Sequence, residues 1–256
     1  MAAWKNGAKR LAGAALALGV LLGLPAAASA GVLTYTPSPA DMYDLDHHYT
    51  YTWKISNINV PVGEQILGAS LTFTKLYNWD TNPNMLFIHL LDNAKQSGVR
   101  SYQDAPLNQS PVTTISDEFT ESHVGDSSWL VNAGTADTFL TSRSFAALGG
   151  NPVLAPGQAN PPGWSFVADG TRSGKQLYTY TYTFTDAQES ALATYIGNSA
   201  GKNIAIGLDP DCHFYNDGIK LTIITGAPPV PEPALLLLLG VGGALIARRR
   251  YARAQA

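Results

Sequence analysis

The stretch "QLYTYTYTFT", residues 176–185, decides the fold class. Tyr178, Tyr180, Tyr182 and Phe184 fall at every second position, with threonine between them. A helical period would scatter these rings around a cylinder. A period of two places them all on one face of a strand. Aromatic and β-branched side chains also fit a pleated, half-buried surface best. The same alternation recurs outward along the chain. "HYTYTWKISN" (48–57) puts Tyr49, Tyr51, Trp53 and Ile55 on one face, and "ILGASLTFTKL" (66–76) does so with Leu67, Ala69, Leu71 and Phe73. "MLFIHLL" (85–91) is nearly continuous in apolar residues, as a central strand would be. "NIAIGLD" (203–209) and "GIKLTIIT" (218–225) close the series, with weaker strand signals at Trp164–Val167 and Glu118–Val124.

One helix is expected, from Asp186 to about Asn198. Thr185 stands at its N-cap with Gln188 three residues on, a capping box, and Leu192, Tyr195 and Ile196 form its apolar face. The Pro/Gly-rich run from Gly149 to Gly163 reads as a surface loop. About eight strands and one short helix predict an all-β, antiparallel, jelly-roll-like sandwich, flanked by an N-terminal signal helix and a C-terminal transmembrane helix.

Both ends of the chain are specialised. Lys5, Lys9 and Arg10 precede an apolar run from Leu11 to Leu24, and Ala28-Ser29-Ala30 supplies a small-residue cleavage site. Residues 1–30 therefore read as a signal peptide for signal peptidase. Residues 31–226 form one domain, large enough to bury a core without staples. Cys212 is the only cysteine, so no internal disulfide exists. Residues 227–233 are a proline-rich linker, 234–247 an apolar helix and 248–256 a basic cytoplasmic tail. Fourteen helical residues span roughly 21 Å at ~1.5 Å each, short against a ~30 Å hydrocarbon core. Such a marginal span suits a segment that is recognised and cut.

Pro231-Glu232-Pro233, the leucine-rich run and Arg248-Arg249-Arg250 together resemble the PEP-CTERM sorting signal of Gram-negative bacteria. The resemblance covers about 27 residues. It implies processing by exosortase, a membrane transpeptidase, after a transient stay in the inner membrane. The protein would then reach the cell surface or the medium, among exopolysaccharide. Pro231, Glu232, Pro233 and the three arginines are substrate residues in that reading.

Charge narrows the function classes. Seven of the sixteen basic residues lie in the two ends, leaving nine against eighteen acidic residues between Gly31 and Val230, a formal charge of −9. Nucleic acid and anionic surfaces demand a basic face, so neither is an expected partner. Divalent cations are compatible with it.

Two acidic clusters frame the domain. "DMYDLDHH" carries Asp41, Asp44, Asp46, His47 and His48. "DPDCHFYNDG" carries Asp209, Asp211, His213, Asn216 and Asp217. Terminal strands of sandwiches often neighbour one another, so the clusters could meet. Asp44, Asp46, Asp209, Asp211, Asn216 and Asp217 are then candidate ligands of a structural calcium ion, which takes six to eight hard oxygens in loose geometry. Two alternatives stay open. Asp, Asn and Gly are also ordinary turn formers, and His47, His48, His213 and Cys212 offer a transition-metal set. The D-x-D-H and D-P-D-C-H…N-D-G segments also resemble a β-sandwich type that recurs in PEP-CTERM proteins.

The enzymatic signals are sparse. Cys212 and His213 lack a glycine elbow and an oxyanion-hole signal. Loop acids such as Asp117, Glu118 and Glu121 keep a secreted polysaccharide hydrolase as the alternative, which only carboxylate separation tests. The aromatic residues favour binding without turnover: four tryptophans and eleven tyrosines lie in the body. Trp79 and Trp129, in loop-like contexts, are the candidate sugar-stacking residues. The expectation is a non-enzymatic, exported structural or carbohydrate-binding module.

Overall fold

The computed structural model describes residues 30–104, 117–120, 129–132, 134–154 and 159–228. The chain divides into two compact units, 1–226 and 227–256, and every described strand belongs to the first. The expected signal helix, the Pro-Glu-Pro motif, the 234–247 helix and the arginines lie outside the described residues. Among the described residues no helix is long and apolar enough to cross a membrane.

Among the described residues, eleven strands form two antiparallel sheets. In chain order they are β1 (Gly31–Tyr35), β2 (Tyr49–Ile55), β3 (Gln65–Asn78), β4 (Asn84–Leu91), β5 (Gly98–Gln103), β6 (Asp137–Phe145), β7 (Trp164–Arg172), β8 (Lys175–Thr183), β9 (Ile204–Pro210), β10 (Phe214–Tyr215) and β11 (Gly218–Gly226). The first sheet runs β1-β11-β3-β8-β7, with β10 paired to β3; the second runs β5-β2-β9-β4-β6. The protein is an all-β sandwich. Its core fills the space between the sheets, with Leu71, Phe73, Leu86, Ile88, Tyr180, Ile206, Leu208, Phe214 and Leu221 fully buried.

The alternation of residues 176–185 is realised as β8. Tyr180 and Tyr182 face the core, and Thr72 on β3 meets Thr181 on the outer face at 3.2 Å. Buried tyrosine hydroxyls need partners. Tyr180 donates to the Gly150 carbonyl, and Tyr182 to Leu140 O at 2.8 Å, bridging the two sheets. The 149–163 run is therefore not wholly a surface loop: Gly149 and Gly150 are buried, and Gly149 bridges to Asn78.

The helix, α1 (Asp186–Asn198), keeps both halves of its capping box: Gln188 N donates to Thr185 Oγ1 and Thr185 N to Gln188 Oε1. Leu192 and Ile196 are buried against the sandwich, and the Tyr195 hydroxyl lies 2.8 Å from that of Thr138.

Strands β1, β5, β6 and the two-residue β10 exceed the sequence expectation. β5 is an edge strand with one buried side chain, Val99, and so carries little apolar pattern. In β6 the alternation is broken twice. A register shift between Ile88 and His89 turns Phe139 outward, and Arg143 takes a core position. Its guanidinium lies 5.0 Å from the Tyr180 ring and 5.1 Å from Trp164, a cation–π cage. The strand expected at 118–124 is a 3₁₀ turn where it is described, Glu118–Thr120.

Candidate functional site

The site grows from the connection between β1 and β2. Met42, Tyr43, Asp44 and Leu45 all have positive φ, at 52°, 62°, 59° and 42°. A left-handed turn costs roughly 1–2 kcal/mol per residue for side chains with a Cβ, so other contacts must hold it. Met42 and Leu45 are fully buried anchors. The remainder of the support comes from the β9–β11 connection. Phe214 N donates to Leu45 O at 3.2 Å, and Ile219 N to Ala40 O at 2.8 Å. Asn216 is the main tie: its Nδ2 donates to Asp41 O at 2.9 Å and its N to Asp44 Oδ1 at 3.2 Å.

The two acidic clusters thus meet, because β1 and β11 are paired neighbours. What they build is not one six-ligand calcium shell. Asp44 and Asn216 serve as loop-to-loop hydrogen bonds. Asp217 points outward and pairs with Lys75 at 2.9 Å. Asp211 caps the Met85 N–H, and burial pushes its carboxyl up to about 7. Asp209 faces the outer side of the second sheet, where Glu118 N donates to it at 2.7 Å and Thr50 Oγ1 lies 3.3 Å away. Burial, with Asp104, Asp117 and Glu118 nearby, pushes Asp209 up to about 8 against the Glu118 hydrogen bond. Asp209 is still within β9, opposite Phe87, whereas Asp211 lies past the strand end at Pro210, so the two separate.

Histidines, not carboxylates, dominate the junction. Asp46 Oδ1 lies 3.0 Å from His48 Nδ1 and 3.5 Å from His47 Nδ1. Among the described residues, Asp46, His47 and His48 are the one group of three or more His, Cys, Asp or Glu whose ligand atoms all lie within 4.8 Å of one another. The two imidazole rings are 3.8 Å apart, and each side chain keeps 12 % of its exposure. His213 approaches from the other loop, close enough for its charge to act on Asp46 and His47. Three nitrogens here are buried without a hydrogen-bond partner: His47 Nδ1, His48 Nε2 and His213 Nε2. Burial opposes the Asp46 charge, but hydrogen bonds from His48 and the fields of His213 and His47 hold its carboxyl below the usual range. Burial, then the neighbouring His48, lowers His47; burial also lowers His213, against the pull of Asp46 and Asp44.

Cys212 does not join them. Its thiol is buried against Asp80, and burial pushes it up to about 12, so it is neither a thiolate ligand nor an activated nucleophile.

The two candidate stacking residues part company. Trp79 is 43 % exposed and stands edge-on to His213, with ring centroids 5.4 Å apart. Trp129 is 3 % exposed, wedged 4.7 Å from Tyr102 and 6.1 Å from Phe119. It is a packing residue, not a sugar platform.

A second polar cluster was invisible in the sequence. His89 on β4 is fully buried on the outer face of the second sheet. Its Nδ1 lies 2.9 Å from both oxygens of Asp137, and its Nε2 lies 3.0 Å from Asp117. Phe119 covers it and rests on Gly207, where a Cβ would come within 2.6 Å of the ring. Glu121, the remaining candidate loop acid, lies outside the described residues. Comparison of the chain with protein-family models, with curated proteins and with solved structures finds no match.

Proposed function

We propose that the chain is an exported bacterial surface protein, sorted by exosortase, whose sandwich acts as a structural or carbohydrate-binding module of the extracellular matrix. The observation that carries this reading is the order of features in the tail: Pro231-Glu232-Pro233, a short apolar run, then Arg248, Arg249 and Arg250. A plain membrane anchor needs the apolar run and the arginines only. The signal peptide at residues 1–30 supplies the route through the inner membrane. The body supports a binding module of jelly-roll type. The orders β1-β11-β3-β8 and β2-β9-β4-β6 follow the double Greek key of that fold. Exposed Trp79 is the residue that would stack on a sugar ring.

The hydrolase alternative needs two carboxylates facing each other across an open cleft. Asp117 is bound to His89, and Asp209 is 3 % exposed beneath the Glu118–Thr120 turn, so these acids favour binding over turnover.

Glu232→Ala tests the sorting step. In a host with an active exosortase, the parent chain is expected outside the cell and the variant in the membrane fraction, still carrying its tail. Equal release of both proteins would remove the role assigned to the motif.

A further inference from the structure

We propose that Asp46, His47, His48 and His213 form a structural site for one divalent transition-metal ion of the zinc class, which fastens the β1–β2 loop to the β9–β11 loop.

The unpartnered nitrogens are the first ground for it. A buried polar atom without a hydrogen bond costs about 1–3 kcal/mol, and most such atoms in folded proteins are satisfied. Here three imidazole nitrogens are left over in one junction, beside a carboxylate. A cation on Asp46 Oδ1 satisfies His47 Nδ1, which lies 3.5 Å from that oxygen.

The geometry of the first three ligands fits. Metal–nitrogen and metal–oxygen bonds of zinc are ~2.0–2.2 Å long, so two ligand atoms at adjacent corners of its tetrahedron lie ~3.3–3.6 Å apart. His47 Nδ1 and Asp46 Oδ1 are 3.5 Å apart and share no hydrogen bond. His48 Nδ1 contacts the same Asp46 oxygen at 3.0 Å and is the ring atom placed to share the ion; its Nε2 faces the other way. His213, whose buried Nε2 is also unpartnered, is the proposed fourth ligand from the partner loop; it lies outside the 4.8 Å group and must turn toward the ion. Four protein ligands close the coordination shell, which marks a structural rather than a catalytic ion.

The chemistry of the donors selects the ion. Calcium wants six to eight oxygens, whereas this junction is rich in imidazole, which suits zinc and its neighbours. Metal binding needs unprotonated rings.

The ion also has mechanical work to do. Four successive left-handed residues precede the ligands, and the chain has no second cysteine with which to tie the loops. A bound metal stabilises only the folded state and so holds the strained turn in place. The metal site is independent of the sorting signal and stands or falls separately.

The test uses the full chain, purified and stripped with EDTA, then titrated with zinc or cobalt chloride. One equivalent of zinc is expected to bind, raising the unfolding midpoint by several degrees, and calcium at equal concentration is expected not to. Cobalt is expected to give the visible absorption of a tetrahedral site. His213→Ala and His47→Ala are each expected to abolish that absorption and to weaken zinc by more than the ~10–100-fold cost of losing an outer-shell partner. Cys212→Ser should retain both. A folded parent chain, judged by far-ultraviolet circular dichroism, that shows neither a zinc shift nor a cobalt spectrum overturns the site. So does undiminished zinc binding in a folded His213→Ala chain. Should His47→Ala fail to fold, the parent cobalt spectrum and the milder His213→Asn decide the matter in the same way.

Discussion

Replacing His89 with alanine is expected to cost the fold about 3–5 kcal/mol, the range for removing one partner from a buried ion pair. His89 is fully buried, yet its two ring nitrogens contact Asp137 and Asp117 at 2.9 and 3.0 Å. Burial alone would expel its charge. Its hydrogen bonds to the two carboxylates outweigh burial and push it up to about 9, from an ordinary value of 6.5. The imidazolium therefore pins the Glu118–Thr120 turn and β6 to β4. Alanine would leave Asp117 and Asp137 facing each other with no cation between them, and a hole beneath the Phe119 and Phe139 rings.

The same pair fixes a pH dependence. A histidine raised on folding stabilises fully below its unfolded value and loses that contribution as pH climbs through its folded value. The window is therefore pH 6.5 to about 9, and it is worth about 3 kcal/mol at ~1.4 kcal/mol for each pH step. Asp209 acts in the same direction. Its carboxyl, raised to about 8, favours the folded state while protonated and loses that advantage as pH rises toward 8. Urea unfolding at about pH 6 and about pH 9.5 measures the effect through the denaturation midpoint. The parent chain is expected to be less stable at the higher pH, and His89→Ala to show a smaller difference. A midpoint that does not move with pH would contradict the assignment of a buried imidazolium.

Phe214→Ala is expected to cost a similar ~3–5 kcal/mol, as deletion of a fully buried aromatic ring does. Phe214 has no exposed surface, and its ring meets that of Phe145 at 5.4 Å, edge to face. Its backbone does as much as its ring. It pairs with Asn78 on β3 and donates to Leu45 O. The residue is therefore the anchor on which the His213 loop is seated against the left-handed turn. The variant should lose stability in thermal unfolding and also bind zinc more weakly, because His213 is adjacent. Phe214→Leu retains much of the volume and should lose less of both. A change within the ~0.5 kcal/mol typical of surface substitutions would show that the loop is seated by something else.

The sequence was most legible where one physical pattern dominated. Period-two aromatics marked β8, the Thr185–Gln188 spacing marked the start of α1, and the expected closeness of the first and last strands allowed the two acidic segments to meet without requiring it. It was least legible where tertiary contacts overrode local pattern. Nothing in "MYDL" announces four left-handed residues without a glycine; buried Met42 and Leu45 and the ties from the other loop impose them. The two acidic clusters suggested shared ligands, but Asp209 stays within β9 while Asp211 lies past its end at Pro210. His89 was hidden in an apolar run because its carboxylate partners come from β6 and the Glu118–Thr120 turn. Arg143 hid β6 itself, since a cation on a core position reads as polar until its aromatic cage is visible.

Two address labels around one sandwich are the central claim, and intact-mass measurement of the protein recovered from outside the producing cells tests it most directly. The expected species begins at Gly31 and has lost the apolar run and arginines, with its C-terminus at or near the Pro-Glu-Pro motif. A recovered chain that still carries residues 1–30 or 234–256 would contradict it.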